Sequence, residues 1–238
     1  MRIFDSTRVA SPRRAWRSFL VETADADGLA QELHEVRRAL ATAQADLARI
    51  RAEEKLARHM ALHDPLTTLP NRNYFRQRLE SALSRAQVPG HGLAVLYLDL
   101  DGFKTMNDRH GHDAGDELLR IVGARLVKAV RAGDMVGRLG GDEFACLTVG
   151  LTDRPALAQL AQKLDAAVSG RMQLGAIQCA LRPSIGIATF PEAGASAGAL
   201  LRSADAAMYR AKRARSGHAF YEAPAIAAGA GLCMAAHG

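Results

Sequence analysis

The sequence predicts an α/β (α+β) fold, a central mixed sheet flanked by helices and preceded by a long N-terminal helix. Three observations predict it. Leu93 to Leu98 is a nearly continuous apolar run, the mark of a strand buried on both faces. Amphipathic helical stretches alternate with further strand-like runs from there to Tyr221. Ahead of them, Leu29, Leu33, Val36, Leu40, Ala43, Leu47 and Ile50 recur at alternating spacings of four and three. At 238 residues and 48% hydrophobic, the chain can bury one full core and carry an accessory segment. Its formal charge of +6 is spread along the chain, with no basic tract interleaved with aromatics. That balance suits small anions such as nucleotide phosphates and argues against a nucleic-acid partner.

Residues 1–27 hold arginines, Trp16 and Phe19 and read as an arm whose role the sequence does not state. Residues 28–60 read as a helical stalk. With Leu33, Leu40 and Leu47 at a positions, Leu29, Val36, Ala43 and Ile50 fall at d. Glu32 with Arg37, Asp46 with Arg51, and Glu53 with Arg58 then occupy g and e, where opposite charges meet across a parallel coiled coil. The same stripe also fits a single helix packed on its own domain. The charge register favours the first arrangement, a homodimer through residues 29–58.

The main domain is expected over residues 61–222. A turn-rich boundary, His63 to Arg72, leads into a helix from about Asn71 to Arg85, and Pro89-Gly90 ends that section. After the Leu93–Leu98 strand, Asp101 to Gly111 reads as a loop, followed by a helix over about Ala114 to Val130. Met135 to Leu139 and Phe144 to Val149 are β-rich. Pro155 to Val168 is amphipathic, with its proline placed for a first helical turn. Ile177 to Phe190 has strand character, with a break expected at Arg182-Pro183. Ala199 to Ala214 is a last helix, Ala219 to Tyr221 a short edge strand, and 223–238 an Ala/Gly-rich tail expected to fray. The three cysteines lack metal spacing, and Cys146 and Cys179 read as reduced core residues. No apolar run reaches membrane-spanning length, and the arginine-rich start lacks the apolar core of a signal peptide, so a cytoplasmic protein is expected.

The chemistry centres on Arg138-Leu139-Gly140-Gly141-Asp142-Glu143-Phe144. A Gly-Gly pair between β-rich runs reads as a tight hairpin, which lifts Asp142 and Glu143 to its tip. Adjacent carboxylates at a strand end invite a hard cation. Alone, such a turn would be a solvated acidic turn. A second acidic strand end, Asp99-Leu100-Asp101-Gly102-Phe103-Lys104, changes that. If the two strands are neighbours, Asp99, Asp142 and Glu143 converge at one sheet edge, as two-metal nucleotidyl transfer requires. Gly102 lets phosphate approach the backbone closely, and Lys104 adds charge.

These motifs resemble the GGDEF family of diguanylate cyclases from about Asp64 to Tyr221. Asp64-Pro65-Leu66-Thr67 with Leu69-Pro70-Asn71-Arg72 is similar to the family's opening signature, with Thr68 where glycine is usual. Asn107-Asp108, Gly111-His112-Asp113-Ala114-Gly115-Asp116, Ser184-Ile185-Gly186 and Ala204-Asp205 through Lys212 continue the match. The resemblance implies a palm-like nucleotidyl cyclase fold and the joining of two GTP into cyclic di-GMP with release of two pyrophosphates, each GTP on a different subunit. It implies that Asp99, the Leu100 carbonyl, Asp142 and Glu143 hold Mg²⁺ or Mn²⁺, two ions per site, with Asp142 and Glu143 catalytic. Asn107 and Asp116 would read guanine, whose N–H donors suit a carboxylate. Phe103, Lys104, His112 and Lys212 would bind the rest of the substrate.

Arg131-Ala132-Gly133-Asp134 lies at the offset of the family's inhibitory site, where cyclic di-GMP binds. One departure concerns the segment after Lys212. The family continues with two residues and then Gly-Arg-Asn, whereas this chain reads Arg213-Ala214-Arg215-Ser216-Gly217, with Arg215 the nearest substitute. The alternatives are a GTP or cyclic di-GMP receptor with little turnover, and a cyclase that uses adenine. Intact Asp99, Asp142 and Glu143 oppose the first, and Asp116 opposes the second.

Overall fold

The computed structural model describes residues 12–86 and 92–223, with side chains from residue 28 onward. The first part of the expected arm, the Pro89-Gly90 stop and nearly all of the expected tail lie outside the described residues. The chain divides into two units, one ending at His59 and one beginning at Met60. The first is built on α1 (Pro12–Leu62), so the helix begins well ahead of the heptads. Its seam residues Leu29, Leu33, Val36, Leu40, Leu47 and Ile50 are 46 to 69% exposed, so none is spent on a core. Among the described residues no helix is long and apolar enough to cross a membrane.

In the second unit, α2 (Arg72–Ala86) precedes β1 (Leu93–Asp101). Then come α3 (Phe103–His110), α4 (His112–Ala129), and the hairpin of β2 (Met135–Gly140) and β3 (Glu143–Val149). α5 (Arg154–Ser169) leads to a small hairpin of β4 (Met172–Leu174) and β5 (Ile177–Cys179). β6 (Arg182–Thr189), α6 (Ala197–Ala214) and β7 (His218–Phe220) complete it. Asp153 and Ser196 cap α5 and α6, each side chain accepting from a backbone N–H three residues on.

The main sheet has the order β2-β3-β1-β6-β7, antiparallel except for the β6–β7 pair. β1 is therefore central, which explains its two-faced apolar run. Ala94, Leu96, Leu98 and Leu100 enter one core with Leu118, Val122, Leu157 and Leu164 of α4 and α5. Leu93, Val95 and Tyr97 enter the other with Phe75, Leu79, Leu200 and Ala204 of α2 and α6. Alternation along one strand thus feeds two cores, and helices cover both sheet faces.

Three local expectations change. The segment read as a loop from Asp101 contains α3, which begins after Gly102 at φ +81° and stops at Gly111 at φ +84°. Glycines set both its ends, and Met106 anchors it in the first core. The Arg182-Pro183 pair opens β6 instead of breaking a strand. Ile185 N–H donates to Gly217 O, so the nitrogen of Pro183 faces the same side, where β7 has no partner for it. The break falls earlier, before Arg182, and β4–β5 stands as a separate two-stranded ribbon.

Candidate active site

The β1 register assembles the site. Asp99 lies opposite Glu143 of β3 and opposite Ser184 of β6. Residues directly opposed across antiparallel strands share a face, so Glu143, Asp99 and Ser184 form one row. That row continues the face of Val95 and Tyr97, the one covered by α2 and α6. Asp101 follows on the same face and accepts from Ser184 Oγ at 3.1 and 2.9 Å. Lys212, near the end of α6, donates to Asp99 and lies 3.7 Å from Asp101 Oδ1. The hydrogen bond to Asp99 raises the Lys212 pKa, against the pull of burial, with further support from Asp101 and Asp142.

Asp142 occupies the hairpin turn after Gly141, whose φ of +52° is left-handed and suits glycine. It is half-buried rather than fully out in solvent. Burial and then the Asp99 charge raise its pKa, partly offset by Lys212 and Arg138. Two hard carboxylates at one end of the sheet, with an ammonium already drawn to Asp99, make a place for positive charge. Among the described residues no three acidic, histidine or cysteine side chains form a ready-made metal cluster. The donor set instead fits a divalent ion such as Mg²⁺, which takes one or two carboxylates and completes its shell with water and substrate phosphate.

Glu143 stands in the row but has other partners. Its carboxylate accepts from Arg72 Nη2 at 3.2 Å, while Arg72 Nε holds the Leu139 carbonyl at 3.0 Å. Burial and then the charge of Glu143, with a hydrogen bond to it, raise the Tyr97 pKa. The Leu100 side chain is buried in the opposite core, leaving only its backbone for the site.

Sequence reasoning missed the clamp that fixes the hairpin. Arg138 Nε and Nη2 donate to Gly141 O at 2.9 and 2.8 Å, and Nη1 donates to Asp64 at 2.9 and 3.1 Å. Asp64 also accepts from Thr67 N–H and Oγ at 2.8 and 2.6 Å. Burial would raise the Asp64 pKa, but bonds from Thr67 and Arg138 outweigh it and hold the carboxyl below its ordinary value. Nothing local in the sequence links residues 64 and 138; the only cue was a turn-rich boundary with an aspartate at its head.

α3 and α4 supply the remaining substrate candidates. Phe103 and Lys104 open α3, with Phe103 against the first core and Lys104 exposed. His112 is exposed at the start of α4, and Asp116 is half-buried on it. The Oδ1 of Asn107 is buried with no hydrogen-bond partner. Gly115 makes room for it, since a Cβ there would lie 1.8 Å from that oxygen. An orphaned acceptor of this kind suits a ligand that brings a donor, as guanine does.

On the far side of the hairpin, Arg131 Nε pairs with Asp134 Oδ1 at 3.0 Å. Arg131 Nη2 also donates to Thr148 Oγ1 at 3.2 Å and Val149 O at 2.6 Å, so this arginine pins the end of β3. A 300 Å³ cavity lined by Arg78, Arg85, Gly133 and Val149 opens beside it.

Residues 61–218 match the family model "Diguanylate cyclase, GGDEF domain". The chain belongs to the GGDEF family. Its GGDEF relatives include MucR of Pseudomonas aeruginosa, described as a bifunctional diguanylate cyclase/cyclic di-GMP phosphodiesterase. MucR is 45% identical over 68% of this chain and 24% of its own length. The diguanylate cyclase TpbB of P. aeruginosa is 42% identical over 71% of this chain and 39% of TpbB. The chain thus spans well under half the length of these curated relatives. Among solved structures, the TpbB GGDEF domain is 41% identical, covering 67% of this chain and 94% of that one, at a TM-score of 0.65. The coiled coil and GGDEF domain of DgcB from Caulobacter crescentus, solved with c-di-GMP, is 27% identical. It covers 78% of this chain and 98% of that one, at a TM-score of 0.72.

Proposed function

We propose that this chain is a diguanylate cyclase that condenses two GTP into cyclic di-GMP and two pyrophosphates. The observation that carries the proposal is the Asp99–Asp142 carboxylate pair beside Lys212 at the end of the central strand. In each half-reaction the 3′-oxygen of one GTP attacks the α-phosphorus of the other. The α–β P–O bond breaks, pyrophosphate leaves with the bonding pair, and the hydroxyl proton passes to a carboxylate of the Asp142-Glu143 pair. Mg²⁺ or Mn²⁺ held by Asp99, the Leu100 carbonyl and Asp142, with Glu143 in support, would acidify the hydroxyl and neutralise phosphate charge. Asn107 and Asp116 orient guanine, while Phe103 and Lys104 at the start of α3, His112 and Lys212 hold sugar and phosphates. The names of MucR and TpbB support the same reaction class.

One domain holds one GTP, so the reaction needs two copies facing each other. The exposed α1 seam supports a homodimer through residues 29–58 within a 28–60 stalk, serving the catalytic domain 61–222. The heptads from Leu29 to Ile50 span about 33 Å at ~1.5 Å per residue, enough to gather two domains at high effective concentration. The Arg131–Asp134 turn is proposed as the site through which cyclic di-GMP inhibits its own synthesis. Incubating the purified chain with Mg²⁺ and either GTP or ATP, then separating the nucleotides, tests the reading. Cyclic di-GMP from GTP alone is expected; GTP bound but never consumed would leave a receptor instead.

A further inference from the structure

Outside α1, the large apolar side chains left exposed among the described residues are Val127, Val149 and Tyr209. Tyr209 is the only aromatic of the three, at 60% exposure. We propose that Tyr209 is a contact through which a second, GTP-loaded copy of this chain seats against the acidic row during catalysis. The proposal rests on the cyclase reading above and extends it to the surface where two domains meet.

The faces of α6 place Tyr209. Leu200, Ala204, Ala207, Met208 and Ala211 form its buried side. One flank is tied to β7, where Arg210 Nη2 donates to Phe220 O at 2.8 Å. The other flank carries Asp205, Tyr209 and Lys212, at spacings of four and three residues. Neighbours at those spacings share one side of a helix, with Cβ atoms about 5–6 Å apart. Lys212 fixes where that flank lies, because it reaches across to Asp99. Tyr209 therefore stands one turn from the reacting row, at its solvent rim.

Within the chain the ring has no task. Among the described residues Tyr209 makes no hydrogen bond, ion pair or ring contact. Tyrosine offers a large rigid face with a polar tip, the kind of side chain that anchors protein contacts. The charges around it say which partner fits. Asp205, Lys212 and Arg213 are exposed on α6, and Arg72 pairs with the half-buried Glu143 in the row. A rim of mixed sign can meet its own copy across a two-fold axis, with positive groups facing negative ones. An acidic peptide or a nucleic acid would call for a basic rim instead. Gly140 and Gly141 at the hairpin tip are exposed as well, which leaves the approach to the row open. The reaction supplies the remaining argument, since the row holds one nucleotide and needs a second one delivered.

The test is photo-crosslinking of the full chain with p-benzoylphenylalanine in place of Tyr209, in magnesium buffer with and without 3′-deoxy-GTP, which binds but cannot attack. Irradiation should join residue 209 to a second chain, and 3′-deoxy-GTP should raise the yield several-fold. In parallel, Tyr209→Ala should lower kcat roughly tenfold, with 3′-deoxy-GTP affinity, melting temperature and sedimentation at parent values. Tyr209→Phe, which keeps the ring, should restore the parent kcat. Links confined to the same chain or to the nucleotide would overturn the proposal, as would parent-rate turnover by Tyr209→Ala. A parent that binds 3′-deoxy-GTP yet makes no cyclic di-GMP from GTP would overturn the cyclase reading, and the proposal with it.

Discussion

Replacing Arg138 with alanine removes the guanidinium that ties the signature hairpin to Asp64. The two side chains are 12 and 17% exposed, so their charges interact in a largely dry setting. Breaking a buried pair from one side costs roughly 3–5 kcal/mol. Asp64 keeps its two bonds from Thr67, which lowers the expected loss to about 2–3 kcal/mol. For a domain of this size that corresponds to a drop in melting temperature of about 4–12 °C. The pH dependence follows from the sign of the Asp64 shift. A carboxyl whose pKa is lowered on folding contributes stability above its ordinary value of 3.8, and that stability fades as pH falls through the lower, folded value. Urea unfolding of parent and Arg138→Ala at stepped pH values should therefore show a gap that narrows below pH ~4. A residual gap should remain from the lost bonds to Gly141 O. A gap under about 0.5 kcal/mol at neutral pH, or one that ignores acidification, would refute the clamp.

Three further outcomes are expected. Arg131→Ala should raise the cyclic di-GMP concentration needed for half-inhibition of the cyclase. It should also lower stability by about 1–2 kcal/mol through the lost bonds to Thr148 and Val149, and unchanged inhibition curves would leave only that structural role. Exchanging Leu40 and Leu47 for aspartate should abolish the dimer in sedimentation and make activity steeply dependent on protein concentration. A double variant that stays dimeric and active would remove α1 from the interface. Gly115→Ala should displace Asn107, whose Oδ1 lies 1.8 Å from the new Cβ position, and weaken GTP binding while sparing the melting temperature far less than a surface change would. Parent-like GTP affinity in that variant would take Asn107 out of base recognition.

What was legible in the sequence was whatever repeats or sits in short motifs. The Leu93–Leu98 run announced a central strand, and the two acidic motifs pointed to neighbouring strand ends, where the β1–β3 register sets Asp99 opposite Glu143. α3 was hidden because glycines bracket it and its Lys-Thr-Met-Asn-Asp-Arg composition has a single buried anchor, Met106. The Arg182-Pro183 pair misled because a proline's missing donor matters only where a neighbouring strand needs it, and that depends on where β7 stops. Arg138 with Asp64, Arg72 with Glu143, and Ser184 with Asp101 are contacts between residues distant in the chain. No local pattern encodes such pairs.

The most direct test of the central claim is turnover of labelled GTP by the parent chain and by Asp142→Ala, with products separated and folding followed by melting temperature. Asp142 is half-buried and its carboxyl is raised by burial and by Asp99, so its removal should leave the domain folded and no less stable. The parent should convert GTP into cyclic di-GMP and pyrophosphate, and the folded variant should make none. Folded Asp142→Ala protein that forms cyclic di-GMP at the parent rate would contradict the account.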